Sequence, residues 1–518
     1  MLRFLNVYTI SAFAALGGML LGIDISSMSG IISQDQYLVY YNNPLGILQG
    51  TITSMMSAGS IVGALLCGII SGRLSRKSCI QLGAALWIIG STLQSASNGV
   101  PMLIVGRVIA GLGIGMTSTL VPVYQSEIAP RKIRGRIVSF QQFAITWGIL
   151  IGFVIEYGCS YLNSSAVFRI PWAIQTVPGI VLLIGLFWFP YSPRWLASQE
   201  RWDEVLTVLA LLRSAENDIN DPYVLAEYKE IEDHLRLEQE EQATHPYREL
   251  FSRKMRKRVF LSMAIQVWSQ LTGVPLWVYY DVYVYESVGF DNPLLATAIQ
   301  YIIYMVMTIP CILWTDKWGR RPSLILGAAF ISFLMFLKGG LFKRFGEPSP
   351  VLDLPYTWIV VGHPNVSRAI AACCYLAMAT FAVSWGPIAL MYPPEIVPVR
   401  IRAMSVALVT ASNWTVNFAL GLAVPPLLRS IQWRLLMIFG AFNFAASIHV
   451  WLAVPETKHR TLEELDEIFE HGEPLWRSLV GPRESSKLDS LARDIEVGAL
   501  RINHLTPIET PSTSNNHV

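Results

Sequence analysis

The sequence predicts an all-α membrane protein of twelve transmembrane helices in two pseudo-symmetric six-helix bundles, and three observations predict it. The chain of 518 residues is 53% hydrophobic and only 15% charged, with a mean hydropathy of +0.43, whereas soluble domains carry charge on roughly a quarter of their residues. Apolar runs long enough to span a bilayer, about 20 residues, recur from end to end. A charged block near the middle of the first half returns late in the chain.

Hydropathy and breaker residues place spans near 8–30, 50–72, 79–97, 101–123, 137–158 and 170–190, then 258–286, 293–315, 322–342, 367–392, 403–427 and 432–454. The chain is thus read as a first bundle over 1–190, a polar interval over 191–257, a second bundle over 258–454 and a tail over 455–518. Gly273 and Pro275 interrupt the seventh span, which reads as a broken helix. The first run, from Val7, contains an acid and leads into further spans, so it reads as a retained helix rather than a cleaved leader. The interval sets Glu227, Lys229, Glu230, Asp233 and Arg236 among Leu and Ile at helical spacing, the pattern of short amphipathic helices. Beyond Phe469 the tail turns polar and holds too little apolar surface to order itself.

Lys and Arg gather in alternate loops: Arg73, Arg76 and Lys77; Arg131, Lys132, Arg134 and Arg136; 253–258; Lys317, Arg320 and Arg321; Arg400 and Arg402. By the positive-inside rule these loops and both termini face the cytosol. The stretches 31–49, 91–101 and 287–293 contain no Lys or Arg and face outward; 338–368, which does, is assigned to the outer side as well. The sequons Asn163-Ser164-Ser165 and Asn365-Val366-Ser367 fall in outer loops, which makes Asn163 and Asn365 candidate glycosylation sites. Asn413-Trp414-Thr415 lies in a span and reads as a chance match. A net charge of +2 offers nothing to nucleic acid. The six cysteines show no metal-ligand spacing and read as small hydrophobes. No phosphate-binding loop and no nucleophile–base–acid set stand out, so neither an enzyme nor ATP drive is expected, and no cofactor or metal. Gly111, Gly113 and Gly115 read as close helix packing.

The returning block is Ser126-Glu127-Ile128-Ala129-Pro130-Arg131-Lys132-Ile133-Arg134, echoed by Pro394-Glu395-Ile396-Val397-Pro398-Val399-Arg400-Ile401-Arg402. A second echo pairs 68–77, ending Arg76-Lys77, with 312–321, ending Arg320-Arg321. Repeats at corresponding loops imply two halves related by an axis along the membrane normal, with a solute site between them and alternating access as the mechanism. A charged loop on the positive side is the plain reading of these residues; their recurrence in both halves favours a paired-charge gate.

These residues resemble the sugar porter branch of the major facilitator superfamily, in its fungal hexose and disaccharide permease form, over nearly all of residues 8–470. The resemblance is carried by 17–24, Gly106-Arg107, the Glu127 block, Gln141-Gln142, Ser192-Pro193-Arg194, 270–273, 316–321, Trp385-Gly386-Pro387, 392–395, Asn413-Trp414 and Pro455-Glu456-Thr457-Lys458. It implies the major facilitator fold and secondary active transport of a sugar or sugar-like polyol by proton symport. The partners implied are solute, protons and the bilayer of the plasma membrane, with the chain acting as a monomer. Asp24, in an otherwise apolar span where an acid costs about 2.5 to 3.5 kcal/mol, takes Arg107 as its natural partner, and the resemblance makes these two the proton-coupling pair. A static salt bridge between two helices is the alternative. Gln142, Gln270, Asn413 and Trp414 stand at positions similar to sugar ligands, where each lone amide could instead tie helices together. Tyr279 and Tyr280 resemble an outer gate, and Glu127, Arg134, Asp316, Arg320, Glu395 and Arg402 a cytosolic one.

The departures from the pattern cluster in the pocket and the gate. Ser269 replaces a glutamine, Pro275 and Tyr304 replace asparagines, and Leu390 replaces a tryptophan that caps the ring. Four such changes, at about 0.5 to 1.5 kcal/mol per neutral hydrogen bond, speak against an ordinary glucose carrier. At the gate, Gly72, Tyr191 and His459 stand where Asp, Glu and Gly are usual. Two other readings follow from these changes: a non-transporting nutrient sensor on the same fold, and a carrier of a less polar solute.

Overall fold

A computed structural model describes residues 6–44, 46–130, 133–213, 218–240, 250–252, 255–349, 356–360, 362–397, 399–458 and 469. Helix α1 (Val7–Ala14) starts in a reciprocal cap, the Thr9 amide donating to Asn6 Oδ1 at 2.9 Å, and runs through Ala15 into α2 (Leu16–Ile31). After the short α3 (Asp35–Tyr40) come α4 (Ile47–Ile70), α5 (Arg76–Ser95), α6 (Val100–Ile128), α7 (Arg134–Cys159), α8 (Ala166–Ile174) and α9 (Thr176–Gly185).

Small residues let these helices approach at backbone distance, because lipid supplies no hydrophobic drive between helices and contact must come from packing. A Cβ placed on Gly148 of α7 would lie 2.5 Å from the Met19 carbonyl oxygen of α2, and one on Gly22 would lie 2.8 Å from the Ile149 nitrogen. Gly111 of α6 packs in the same way against Gly59 of α4, and Gly113 against α5. Gly148→Val is therefore expected to force α2 and α7 apart. Overpacking costs about 1–3 kcal/mol even where side chains can give, and here the obstacle is backbone. The check is the yield and melting temperature of the detergent-solubilised chain; a variant that melts with the parent contradicts the packing argument.

Beyond α10 (Pro193–Ser198), α11 (Trp202–Arg213) and α12 (Pro222–Glu240) form a second compact unit. Val205, Leu206, Leu209 and Leu212 of α11 are buried. Arg213 Nε meets Glu227 Oε2 at 2.6 Å, and the rings of Trp202 and Tyr228 lie 5.5 Å apart.

The second half opens with α13 (Arg256–Leu271), which breaks at Gly273 and resumes as α14 (Val274–Tyr279) and α15 (Asp281–Ser287). Gly273 has φ +106°, a left-handed conformation that L side chains rarely adopt. The broken seventh span expected from Gly273 is thus present. Next come α16 (Pro293–Trp318) and α17 (Arg320–Phe345), then a two-residue antiparallel pairing of β1 (Glu347–Pro348) with β2 (Trp358–Ile359). Helices α18 (Pro364–Val383), α19 (Trp385–Ile396), α20 (Val399–Ser430) and α21 (Arg434–Ala453) follow.

Among the described residues, ten helical stretches are long and apolar enough to cross a membrane. The two remaining predicted spans are α5, which carries Arg76, Lys77, Gln81 and Gln94, and the interrupted α13–α15. Two assignments need correction. Lys338, placed with the outer stretch, lies inside α17 and is fully buried. Asn365 sits in the first turn of α18 rather than in a loop, exposed, while the Ser367 hydroxyl of its sequon is buried and donates to Val288 O at 2.7 Å. Asn163 lies exposed in the connection between α7 and α8.

Candidate functional site

The two halves line a common cavity whose non-atom space, open solvent included, is about 840 Å³. Helix α7 contributes Gln142; α13 contributes Gln266, Ser269 and Gln270; α14 Tyr279; α16 Tyr304; and α20 Asn413, Trp414 and Asn417. The i, i+4 spacing puts Gln266 and Gln270 on one face of α13, and Asn413 and Asn417 on one face of α20. These four amides interlock. Asn413 Nδ2 donates to Gln266 Oε1 at 2.7 Å, Gln270 Nε2 to Asn413 Oδ1 at 3.0 Å, and Asn417 Nδ2 to Gln270 Oε1 at 3.1 Å.

Three contacts tie the ladder and its neighbours on α16 and α20 to the first half. Ser57 Oγ of α4 donates to Asn417 Oδ1 at 2.7 Å, Gln142 Nε2 to the Tyr304 hydroxyl at 2.9 Å, and Trp414 Nε1 to Ser118 Oγ at 3.3 Å. The described lining contains amides, hydroxyls and rings but no Asp, Glu, Lys, Arg or His. Such a surface offers both donors and acceptors to a neutral, many-hydroxyl molecule and rejects an ion, whose charge would find no counterpart.

Of the predicted ligands, Gln142, Gln270, Asn413, Trp414, Ser269 and Tyr304 all line the cavity. Leu390 lines it too, and the Pro275 side chain lies outside the described residues. The two tyrosines predicted as one gate part company. Tyr279 faces the cavity, whereas Tyr280 donates to Gly421 O at 3.0 Å and stacks on Tyr283.

Beside the cavity, Asp24 Oδ2 and Arg107 Nη2 are 3.3 Å apart and both side chains are fully buried. Leu21 and Ile25 of the same helix do line the cavity, so Asp24 sits one helical face away. Arg107 also donates to Gln94 Oε1 of α5 at 3.5 Å and to Thr53 O of α4 at 3.3 Å. Four helices of the first half therefore meet at one ion pair, and Asp24 Oδ1 keeps no hydrogen-bond partner among the described residues.

At the basic end the sequence repeat becomes a structural one. In the first half Arg76 Nη2 meets Glu127 Oε1 at 3.2 Å, and Glu127 accepts from the Ser192 hydroxyl. In the second half Arg320 Nη2 meets Glu395 Oε1 at 2.9 Å, and Glu395 accepts from the Thr457 hydroxyl at 2.6 Å. Lys77 donates to Phe189 O at 2.9 Å, and its counterpart Arg321 donates to Trp451 O at 2.6 Å. Glu456 caps the start of α17 through the amides of Arg320 and Arg321, whereas in the first half Tyr191 lies under Lys77, 4.8 Å from its Nζ. Arg402 is buried, donates to Val397 O, and lies within electrostatic reach of Glu127, Arg134 and Arg194 across the halves. The Asp316 side chain and His459 lie outside the described residues.

Removing one partner of a nearly buried ion pair costs about 3–5 kcal/mol, so Glu395→Gln is expected to lower the melting temperature by about 5 °C or more. Thr457→Val removes a single hydrogen bond of about 1 kcal/mol and should cost much less. Equal melting of parent and Glu395→Gln would remove the clasp's structural weight.

Residues 10–469 match the family model described as "Sugar (and other) transporter". The chain belongs to the sugar transporter family. It is 48% identical to the MFS glucose transporter mfs1 of Aspergillus flavus, over 100% of this chain and 99% of that protein. It is 39% identical to a high-affinity glucose transporter of Kluyveromyces lactis, over 91% and 87%. Its fold matches that of the proton:xylose symporter XylE bound to 6-bromo-6-deoxy-D-glucose, with a TM-score of 0.75 and 26% identity, covering 90% of this chain and 99% of that one. The protein is thus an all-α membrane protein of the major facilitator fold.

Within this sugar transporter, several site residues escaped the sequence reading. Gln266 and Asn417 complete the ladder, and the i, i+4 repetition around Gln270 and Asn413 was the available signal. Arg76, Ser192 and Thr457 complete the clasps; each lies in a quoted motif, but nothing in the chain order shows that they converge on Glu127 and Glu395.

Proposed function

We propose that this chain carries a hexose or a closely similar sugar into the cell with a proton, by alternating access of its two halves. The observation that carries the reading is a fully buried Asp24–Arg107 pair set one helical face from an uncharged cavity of amides and rings. In the coupled cycle Asp24 accepts a proton from the outer side, which releases Arg107 to Gln94 and Thr53, and gives it up on the inner side, which restores the pair. Gln142, Gln270, Asn413 and Trp414 hold the sugar, with Ser269 and Tyr304 completing the pocket. The Tyr304 hydroxyl stands where the family pattern has an amide and already engages Gln142, so this departure replaces a polar contact instead of deleting one. The names of the relatives support a hexose.

Tyr279 covers the sugar from the outer side while Tyr280 braces the helix behind it. Glu127, Arg134, Asp316, Arg320, Glu395 and Arg402 belong to the cytosolic closure. The chain works as a monomer in the plasma membrane with both termini in the cytosol, and Asn163 and Asn365 are its glycan acceptors. The division into 1–190, 191–257, 258–454 and 455–518 follows from the same orientation.

The test is uptake of a labelled panel of hexoses, pentoses, disaccharides and polyols by cells expressing the chain, with and without a proton uncoupler. Uncoupler-sensitive accumulation of a hexose is expected. Uptake that ignores the uncoupler would replace symport by facilitated diffusion, and no uptake of any compound would favour the sensor reading.

A further inference from the structure

The second half contains a buried charge that neither the cavity nor the clasps use. Lys338, two turns before the end of α17, is fully buried, and its ammonium donates to Cys374 Sγ of α18 at 3.3 Å. A thiol is a poor counterion, and an ammonium removed from water needs an anion. The carboxylate that acts on it is Asp281, at the start of α15, also fully buried; it acts through space, with no direct ion-pair contact within 4 Å among the described residues. Asp281 Oδ2 accepts from Gln300 Nε2 of α16, while Oδ1 keeps no hydrogen-bond partner among the described residues. Gln300 in turn accepts from the Tyr285 hydroxyl of α15 and donates to Trp277 O at 3.4 Å.

The location is informative. Counting along the echo that matches Arg76 to Arg320, Lys338 falls on Gln94, the residue that holds Arg107. Both halves therefore bury a cation at the same junction of their third and fourth helices. In the second half, however, the anion sits on α15, the free-standing piece of the broken helix next to Tyr279 and Tyr280. That piece also closes the end opposite the clasps, where the Tyr283 hydroxyl of α15 donates to Ile32 O at 3.4 Å, beside a Tyr301–Ser29 contact of 3.2 Å.

We propose that Asp281 and Lys338 form a second buried charge pair, whose role is to position α15 against α16–α18 and so set how readily the outer end opens. The proposal rests on the reading of transport by alternating access. The seven-residue α15, separated from α13 by the left-handed Gly273 and from α14 by the break at Tyr280, is held by few backbone bonds, so a through-space charge attraction to a long scaffold helix decides where it rests. Asp281 and Lys338 are positioning residues; neither touches the cavity.

The test uses the full chain in cells, with Ile32→Cys as a reporter buried behind the closed end and the parent without it as background. A membrane-impermeant maleimide is applied from outside, and labelling is normalised to surface protein. The neutral double variant Asp281→Asn with Lys338→Gln is expected to label about fivefold faster or more, a shift in the open population, while Lys338→Arg labels at the parent rate. Each neutral single variant strands a charge and is expected at lower surface levels than the double. Gln300→Leu, which cuts the α16 tether without stranding an ion, should also speed labelling and serves if the double variant does not reach the surface. Labelling of the double variant, or of Gln300→Leu in its place, at the parent rate would overturn the proposal, whatever the surface level. Because labelling needs no sugar, a panel without any uptake would sink the transport reading and leave this measurement standing.

Discussion

Asp24→Asn is expected to abolish uphill accumulation while sparing exchange of labelled for unlabelled sugar. Asn matches the shape of Asp, and Arg107 keeps Gln94 and Thr53 as acceptors, so the junction of α2, α4, α5 and α6 survives. What the amide cannot do is bind and release a proton. A single proton moving down a potential of 100 mV supplies about 2.3 kcal/mol, equivalent to about a fiftyfold gradient, so the accumulation ratio should fall from tens to about one. Membrane vesicles with an imposed proton gradient measure the first quantity, and counterflow at equal pH the second. An Asp24→Asn vesicle that concentrates sugar like the parent would leave the pair as a static brace. Arg107→Met makes the opposite cut. It strands a buried carboxylate at a cost of about 3–5 kcal/mol and should reduce the folded yield itself.

The other large effect belongs to the ladder. Asn413→Ala removes its middle rung, taking the acceptor from Gln270 Nε2 and the donor from Gln266 Oε1 together. Each buried polar atom left without a partner costs about 1–3 kcal/mol, and two mis-aimed amides also lose their grip on the sugar. The KM for the preferred hexose is therefore expected to rise about ten- to hundredfold. Gln142→Ala, which leaves only the Tyr304 hydroxyl unanswered, should raise it less. Initial rates of labelled uptake against concentration decide the matter, and an Asn413→Ala KM within about twofold of the parent would remove the ladder from the binding site.

The chain order made some of this legible and concealed the rest for identifiable reasons. A buried Asp24 is conspicuous in an apolar run, and Arg107 is the one charge in the fourth span, so their pairing could be anticipated from cost alone. Glu127 and Glu395 were conspicuous because they repeat. Arg76 and Arg320 repeat as well, but two spans separate each from its glutamate, and only packing brings them together. Lys338 misled for a different reason. Near the end of a span, a lysine reads as a loop residue or as one that reaches for the interface, and only the fold shows Cys374 and Asp281 around it. Asn365 fell in the first turn of a helix because Pro364, at the first helical position, starts the helix as readily as it ends a loop.

The two arginine–glutamate–hydroxyl clasps each close within a single half, and this decides where resistance to motion can reside. A device that swings between two states needs stiff bodies and a compliant seam. Because neither clasp spans the two halves, rocking them apart strains instead the contacts that cross the midline, among them Ser57–Asn417, Gln142–Tyr304, Trp414–Ser118, the Gly50 and Gly68 approaches of α4 to α20, and Arg402 against the first half. Directed evolution for faster turnover should accordingly accumulate changes along that seam, while changes at the clasps should be lost as folding defects.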